Sequence, residues 1–173
     1  AKYAIVQTLT NASDSAQLVK YIINPFTYGC ENETDTAYVW VEPTAAVSVS
    51  PGNDTICDGD NVAILLSSPT ESTRQVRFRY THIPVAGVTV TPGTGNNLAP
   101  GYTITDQIDN STDAAQLVQF VVTPYTRNAG DDGEKCTGVN DTAFIWVEPT
   151  ARVTLTPKYD TICNGNNVSI FLN

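Results

Sequence analysis

Residues 141–151 read DTAFIWVEPTA and repeat residues 35–45, DTAYVWVEPTA, at an offset of 106 residues. Each copy runs on to a second match, DTICNGNNV at 160–168 and DTICDGDNV at 54–62. A strand, a Glu-Pro-Thr-Ala linker, a second strand and a Cys-x-Gly turn follow one another in both copies. We therefore interpret the stretch as the end of one domain, its linker and the start of the next, so that the chain is a window of a longer series of repeats.

The repeat also sets the size of the unit. Gln17-Leu18-Val19 matches Gln116-Leu117-Val118 at an offset of 99, and a seven-residue insertion in the loop 127–135 accounts for the difference. One period is therefore about 100 residues, which is the size of a β-sandwich domain. The predicted units are residues 1–45, the C-terminal half of a repeat; residues 46–150, a complete repeat; and residues 151–173, the N-terminal strands of the next.

Short alternating segments predict an all-β fold. Val76, Phe78 and Tyr80 alternate with polar residues, the pattern of a strand with one buried face. About seven such strands with turn signals between them favour an immunoglobulin-like sandwich, and no segment has a helical period. Strands are predicted within residues 3–9, 17–25, 35–42, 46–50, 62–66, 75–81, 87–91, 102–108, 116–123, 142–147 and 168–172, and residues 92–100 are predicted to form a loop.

Composition excludes several classes of function. The net charge is −9 with nine basic residues, whereas nucleic acids and anionic membranes require a basic face. No apolar run reaches the length of a membrane span, no signal peptide is visible and Met is absent, which fits a mature internal fragment. One histidine, with no nucleophile elbow, phosphate loop or catalytic carboxylate pair, argues against an enzyme, and no cofactor is predicted.

The four cysteines, Cys30, Cys57, Cys136 and Cys163, occupy equivalent places in the repeat and indicate disulfides formed in an oxidising compartment. Three arrangements stay open: Cys30–Cys57 with Cys136–Cys163, Cys57–Cys136, or a pairing across a domain junction that leaves each cysteine bonded outside this window. No metal site is predicted, since there is no Cys-x-x-Cys. The acidic turn 58–61 loses both carboxylates in its second copy, which favours a plain turn.

These motifs together resemble a known family. Asp-Thr-Ile-Cys-x-Gly-x-x-Val opening a domain, residues 88–93, residues 116–124 and Cys136-Thr137-Gly138 are similar to the PKD-like and immunoglobulin-like tandem repeats of Bacteroidota surface proteins. The resemblance covers the whole chain and implies a secreted, cell-surface protein of the gliding-motility adhesin or extracellular fibre type, exported by the type IX pathway. The first copy reads Cys30-Glu31-Asn32, without the glycine, which weakens any special role for Gly138.

One further motif concerns modification. The triplet Asp-Ser/Thr-apolar occurs five times and looks like the acceptor for O-glycosylation in Bacteroidota, although Asp-Thr also begins strands after turns. The candidate hydroxyls are those of Ser15, Thr36, Thr55, Thr142 and Thr161. Six Asn-x-Ser/Thr sequons are interpreted mostly as turn chemistry, but would take precedence in a eukaryotic source.

The sequence therefore predicts a structural segment of a long extracellular adhesin or filament, acting as a stiff, glycosylated stalk. Its expected partners are neighbouring repeats or copies of the same protein, through filament formation or strand exchange, with surface carbohydrate or other cells as further partners. The alternative is a carbohydrate- or protein-binding module that uses loops 92–100 and 127–135. Trp40 and Trp146 are expected to pack in the core or at the joints between domains.

Overall fold

The computed structural model describes residues 3–31, 33–130 and 133–173. These residues form strands, turns and irregular segments, and they include no helix that could cross a membrane. In chain order the strands are β1 (Gln17–Ile23), β2 (Phe26–Thr27), β3 (Cys30–Glu31), β4 (Asp35–Val41), β5 (Ser48–Ser50), β6 (Asn53–Cys57), β7 (Ile64–Ser67), β8 (Val76–His82), β9 (Val88–Thr91), β10 (Thr94–Leu98), β11 (Thr103–Ile104), β12 (Gln107–Asn110), β13 (Gln116–Arg127), β14 (Glu134–Thr137), β15 (Asp141–Glu148), β16 (Leu155–Thr156) and β17 (Phe171–Leu172).

Residues 46–150 form a sandwich-like body, called here the central sandwich. Its larger sheet has the order β10-β8-β13-β15-β6, with β14 also paired to β13. β13 is antiparallel to both of its long neighbours, whereas β6 is parallel to β15, from Asn53 beside Phe144 to Cys57 beside Glu148. The sheet β11-β7-β5 and the ribbon β12-β9 complete the body. This order places an early strand and the last strand of the central sandwich side by side.

The alternation of β8 explains where this strand packs. Val76, Phe78 and Tyr80 are buried, while Arg77 and Arg79 between them are partly exposed, because successive side chains of a strand point to opposite faces. Full burial of one large apolar side chain contributes about 1.5–3 kcal/mol, so the cluster between the sheets dominates stability. Its buried members are Val62, Ile64, Leu66, Val76, Phe78, Tyr80, Ile104, Ile108, Val118, Phe120, Val122, Ala143, Ile145 and Val147.

The strands β1 and β4 form a separate antiparallel pair, called here the leading hairpin. Its ladder runs from Gln17 opposite Val41 to Ile23 opposite Asp35. The β13–β15 ladder has the same register at the repeat offsets of 99 and 106 residues. The burial differs, because Val39 is 40% exposed while its counterpart Ile145 is 1% exposed. The leading hairpin therefore has the pairing of the central sandwich, and in the part of the chain that the structure describes no second sheet covers its apolar face.

Residues 151–173, called here the trailing segment, repeat the start of the central sandwich. Leu155 pairs with Leu172 in the short ladder of β16 and β17. Val49 pairs with Leu66 in the β5–β7 ladder, which is the same register 106 residues earlier. Leu172 is 73% exposed, whereas Leu66 is fully buried. The segment thus takes the local pairing of its counterpart while its apolar side chains face solvent.

The predicted strand at 102–108 is two strands in the structure. β11 pairs with β7, β12 pairs with β9, and the chain changes partner between them at Asp106. The buried carboxylate of Asp106 accepts hydrogen bonds from the Tyr80 hydroxyl and from the Gly93 amide, each at 2.8 Å. Burial, followed by the bond to Asp106, raises the pKa of Tyr80 far above its ordinary value. These bonds give each oxygen of the buried side chain a donor and hold the crossing point.

Two other predictions of local structure were wrong. The predicted loop 92–100 contains β10, which pairs with β8. A Cβ on Gly95 would lie 2.4 Å from a ring carbon of Tyr80, so the glycine lets the ring lie against the strand. The predicted strand at 3–9 is irregular. Its counterparts in the central sandwich are β11 and β12, which pair with β7 and β9. Both of these partner strands belong to the central sandwich, so they do not pair with residues 3–9.

Candidate functional site: a joint and an open hairpin

The joint between the leading hairpin and the central sandwich is tied by Glu42, the first residue after β4. Its carboxylate accepts hydrogen bonds from the Ser72 hydroxyl at 2.6 Å, from the Thr73 amide at 3.1 Å and from the Thr73 hydroxyl. Burial raises the pKa of Glu42, but the bonds from Ser72 and Thr73 and the charge of Arg74 outweigh it, so the pKa lies below its ordinary value of 4.5. The ionised carboxylate is therefore the form that fits the joint.

A second tie joins the turn before β1 to the same part of the central sandwich. The Ala16 amide donates to the Glu71 carbonyl at 2.9 Å, and the Glu71 amide donates to the Asp14 carbonyl at 2.7 Å. The Ser15 hydroxyl donates to the Glu71 carboxylate at 3.0 Å. Two separate points of the leading hairpin are thus bonded to residues 71–73, which restricts rotation about the linker between them.

The linker itself packs into the central sandwich. Ala45 is 1% exposed, and the Ala46 amide donates to the Thr70 hydroxyl at 3.0 Å. The Ser68 hydroxyl donates to the Ala46 carbonyl at 2.7 Å. A Cβ on Gly138 would lie 1.7 Å from the Ala45 carbonyl oxygen. Gly138 therefore has a structural role, which is to make room for the linker. The sequence had argued against a special role, because the first copy lacks this glycine.

The corner before β13 recurs before β1 with the same hydrogen bonds. The side-chain amide of Asn110 donates to the carbonyls of Ala114 and Val147, each at 2.9 Å. Asn11 makes the same two bonds, 99 and 106 positions earlier, at the same 2.9 Å. The amide oxygen accepts a hydroxyl hydrogen in both corners, from Thr112 to Asn110 at 2.7 Å and from Ser13 to Asn11 at 2.8 Å. The leading hairpin keeps this corner although its second sheet is missing.

An apolar groove of about 330 Å³ lies on the uncovered face of the leading hairpin. It is lined by Ile5, Gln7, Leu9, Tyr21, Ile23, Ala37 and Val39. The apolar lining positions have counterparts in the central sandwich that are all 1% exposed or less: Ile104, Ile108, Phe120, Val122, Ala143 and Ile145. The corresponding space in the central sandwich is therefore filled, and side chains of β7 take part in filling it.

The edge of β4 is the second open feature of this hairpin. In the central sandwich, β15 pairs with β13 on one side and with β6 on the other. Among the described residues, β4 pairs with β1 alone. An unpaired strand edge presents backbone donors and acceptors that can pair with another strand. The groove and the edge adjoin, so one segment could cover both.

The five candidate glycosylation sites lie apart from one another and share a backbone feature in four cases. In each of these four, the aspartate Oδ1 accepts the amide hydrogen of the following threonine at 2.8 Å: Thr36, Thr55, Thr142 and Thr161. Thr55 and Thr161 are exposed, whereas Thr36, Thr142 and Ser15 are half-buried. Ser15 differs, since its hydroxyl is bonded to Glu71 at the joint. The recurring hydrogen bond to aspartate is a structural reason for the triplet to occur in the sequence. Glycosylation of these hydroxyls stays a prediction.

The predicted disulfides are not formed among the cysteines that the structure describes. Cys57, Cys136 and Cys163 are free thiols, and the side chain of Cys30 lies outside the described residues. Cys57 lies beside Glu148, near the start of β13, whereas Cys136 pairs with Thr126 near its end. That is roughly 30 Å along a strand, far beyond the ~7 Å that a disulfide spans. Pairing across a junction stays a prediction.

The turn 58–61 is tied to its surroundings through Asp58. Asp58 accepts hydrogen bonds from the Asn110 amide and the Thr150 hydroxyl, each at 2.7 Å. The pKa of Asp58 is lowered, most of all by the hydrogen bond from the Thr150 hydroxyl. The Asn110 amide and the charge of Arg152 lower it further. Asp58 thus ties the second linker to the central sandwich.

The tryptophans do not pack in the core, which was one of the two predicted places. Trp40 and Trp146 are both exposed. They lie on the outer faces of β4 and β15, because the period of two places Ile145 and Val147 inside. Sequence reasoning also missed Glu42 and its partners, although the retention of glutamate before proline in both linkers was an available signal.

The two loops predicted to bind a ligand, 92–100 and 127–135, differ in their structure. Residues 94–98 are a strand, whereas residues 128–130 remain a turn. An open polar cavity of about 420 Å³ lies beside this turn, lined by Thr73, Arg74, Gln75, Arg127, Asn128, Ala129 and Gly130.

Comparisons with known proteins identify no family for this chain. No protein-family model matches the chain, and no curated protein matches it. Among solved structures, the chain is similar to the chaperone DraB of E. coli, at 10% identity and a TM-score of 0.41. The match covers 65% of this chain and 65% of the chaperone, less than two thirds of that protein's length.

Proposed function

We propose that this chain is a structural segment of a long extracellular cell-surface adhesin or filament, in which immunoglobulin-like sandwiches of about 100 residues follow one another as a stiff, glycosylated stalk. The observation that carries the proposal is the tied joint. A flexible linker would leave successive units free to rotate, whereas here the linker is packed and bonded on both sides.

The joint has the properties that a stiff connection needs. Glu42, from the hairpin, and Glu71, from the sandwich, each accept bonds across the boundary. Pro43 is buried, and its ring fixes one backbone torsion of the linker. Hydrogen bonds to ionised groups are stronger than neutral ones, although solvent at the joint reduces that gain. Several weak hydrogen bonds at separate points of the joint resist its bending better than any single one of them would.

The repeated geometry supports a tandem array. The leading hairpin has the register of β13 with β15, and the trailing segment has the register of β5 with β7. In such arrays each unit contacts its neighbours, and stability is the sum of unit and interface contributions. Net negative charge, with few basic residues, keeps neighbouring stalks apart in solution. An outside location fits the four cysteines and the acceptor-like triplets.

The test is electron cryomicroscopy of native material taken from the cell surface. β13 has 12 residues, roughly 40 Å at 3.3 Å per residue, so a stalk should show axial density repeating at about that spacing. Extra density on Thr36 or Thr142 would support glycosylation. Isolated globular particles with variable angles between units would contradict the stalk, and an intact mass equal to that of the bare polypeptide would contradict glycosylation.

The polar cavity beside residues 128–130 supports the second candidate, a carbohydrate- or protein-binding module. Arg74 and Gln75 contribute to it from a different loop, so the site does not depend on a single turn. A binding module should gain thermal stability from its ligand, since a ligand that binds only the folded state stabilises it. A melting temperature unchanged by a panel of surface glycans would argue against this candidate.

A further inference from the structure

An exposed aromatic stripe lies on the outer face of the larger sheet and recurs in the leading hairpin. It consists of Phe144 and Trp146 in β15, and of Tyr38 and Trp40 in β4, each pair two positions apart on one strand. All four side chains are exposed. Contiguous exposed apolar side chains mark a binding surface more often than single ones do, so the stripe points to a partner of this face.

The neighbouring repeat does not cover the stripe. The whole central sandwich follows the first joint, and Trp40 beside that joint is still 54% exposed. Trp146 has the strands on both of its sides, β13 and β6, in place and is 46% exposed. The exposure of the tryptophan therefore comes neither from a missing strand of its own unit nor from a missing unit after it.

One candidate acceptor hydroxyl lies directly beside the stripe. Thr55 of β6 is the partner of Trp146 in the parallel ladder, and neighbouring strands are about 4.8 Å apart. Ile56 packs against the core, so Thr55 points outward with the indole. Thr55 is exposed, and among the residues that the structure describes no group is hydrogen-bonded to its hydroxyl, while its amide is held by Asp54.

We propose that Thr55 carries an O-linked saccharide whose first sugar ring stacks on the indole of Trp146, so that the chain's own glycan covers the stripe. The inference rests on the glycosylation in the proposed function and adds the surface that receives the sugar. One face of a pyranose ring carries mainly C–H groups, which pack against an aromatic ring while the hydroxyls stay in water. Because the sugar is tethered beside the indole, its effective concentration is high, and a weak contact is enough to hold it.

The surroundings of the stripe suit a saccharide better than a second copy of the chain. Asn53 and Gln119 flank Phe144 on its two neighbouring strands. Their side-chain amides offer both donors and acceptors, which is what sugar hydroxyls require. A second copy would bring another net charge of −9 against this one, and that repulsion disfavours lateral association.

The linkage requires a glycosyl donor of the sugar-phosphate class. The Thr55 Oγ1 attacks the anomeric carbon of the donor, the bond from that carbon to the phosphate oxygen breaks, and a carbon–oxygen bond to threonine forms. The phosphate leaves with the electron pair, and the hydroxyl proton passes to a base of the transferring enzyme. The exposed hydroxyl of Thr55 suits this step, whereas the Ser15 hydroxyl is bonded to Glu71.

The stacking can be tested by fluorescence quenching of the full chain purified with its native modification. Trp40→Phe leaves Trp146 as the single tryptophan. Acrylamide should quench this tryptophan less in the glycosylated chain than in the same chain with Thr55→Ala, because the sugar shields the indole. The matched control is Thr161→Ala, the repeat counterpart of Thr55, which is exposed and pairs with no tryptophan in the described part of the chain. The control should leave the quenching of Trp146 unchanged, and intact mass shows which saccharide each variant has lost.

A second measurement observes the contact from the sugar. In proton NMR of the glycosylated chain, C–H protons of the first sugar on Thr55 should move upfield and show nuclear Overhauser effects to Trp146, because they lie over the indole ring. Trp146→Leu should abolish the upfield shift and keep the mass of the saccharide on Thr55. Trp146 is exposed, so this change should not unfold the chain, and circular dichroism checks this.

Three outcomes would overturn the proposal: no added mass on Thr55, equal quenching with and without Thr55→Ala, or equal effects of Thr55→Ala and Thr161→Ala. Unchanged quenching in a chain that does carry mass on Thr55 would reject the stacking and leave the glycosylated stalk standing. Absence of added mass on every candidate hydroxyl would reject the glycosylation in the proposed function as well.

Discussion

Replacing Gly138 by alanine should destabilise the central sandwich by pushing out the linker. The new methyl carbon would lie 1.7 Å from the Ala45 carbonyl oxygen and 2.7 Å from its carbonyl carbon. Ordinary contact is at about 3.5 Å, so backbone must move by roughly 1.5–2 Å. Overpacking costs about 1–3 kcal/mol, and alanine offsets about 0.4–1 kcal/mol of this by restricting the unfolded chain. The expected net loss is about 1–2 kcal/mol, or roughly 5–15 °C in Tm.

The assay is thermal and urea unfolding followed by circular dichroism, with Gly52→Ala as the matched control. No heavy atom lies within 4 Å of a Cβ built on Gly52, and its backbone is in an ordinary conformation. That variant should be unchanged or more stable by up to about 1 kcal/mol. If the two variants unfold alike, the packing of the linker against Gly138 does not hold in solution, and the argument for a tied joint loses one of its supports.

Three other changes test separate parts of the structure. The lowered pKa of Glu42 means that its contribution to the stability of the joint is full above the ordinary pKa of 4.5 and is lost as pH falls through the lowered value. The protection factor of the Thr73 amide against hydrogen exchange, corrected for the intrinsic rate at each pH, should fall there, and Glu42→Gln should remove that pH dependence. Tyr80→Phe leaves a buried carboxylate without one donor and should cost about 1–3 kcal/mol, read from urea midpoints. Leu66→Ala should cost about 2–5 kcal/mol, whereas Leu172→Ala should change the Tm of dilute chain little, because Leu172 is exposed.

Sequence periodicity predicted the fold class well because burial follows it. The alternation in β8 and β15 identified their inner faces, and the all-β architecture followed from many short strands. The β13–β15 register recurs in the leading hairpin at the offsets of 99 and 106 residues that the sequence repeat shows. These features are local or pairwise, so a single chain carries enough information to infer them.

The features that the sequence did not disclose depend on contacts between distant residues. Asp106 divides a predicted strand because its carboxylate is bonded to Tyr80 and Gly93, and nothing in the local pattern shows those partners. Nothing in the sequence around Glu42 shows its partners, because Ser72 and Thr73 lie 30 and 31 residues further along the chain. Trp40 was expected in the core or at a joint between domains, and the period of its own strand excludes the core by placing it on the outer face.

The parallel pairing of β6 with β15 has a mechanical consequence. Tension on the chain would reach this ladder near Asn53 and leave it near Glu148, and these residues lie at opposite ends of the paired strands. The two strands would then slide along each other. All the backbone hydrogen bonds between them would therefore be loaded at once, instead of breaking one after another from one end. A unit built this way resists extension with the summed strength of the hydrogen bonds between β6 and β15, and it unfolds in a single abrupt step.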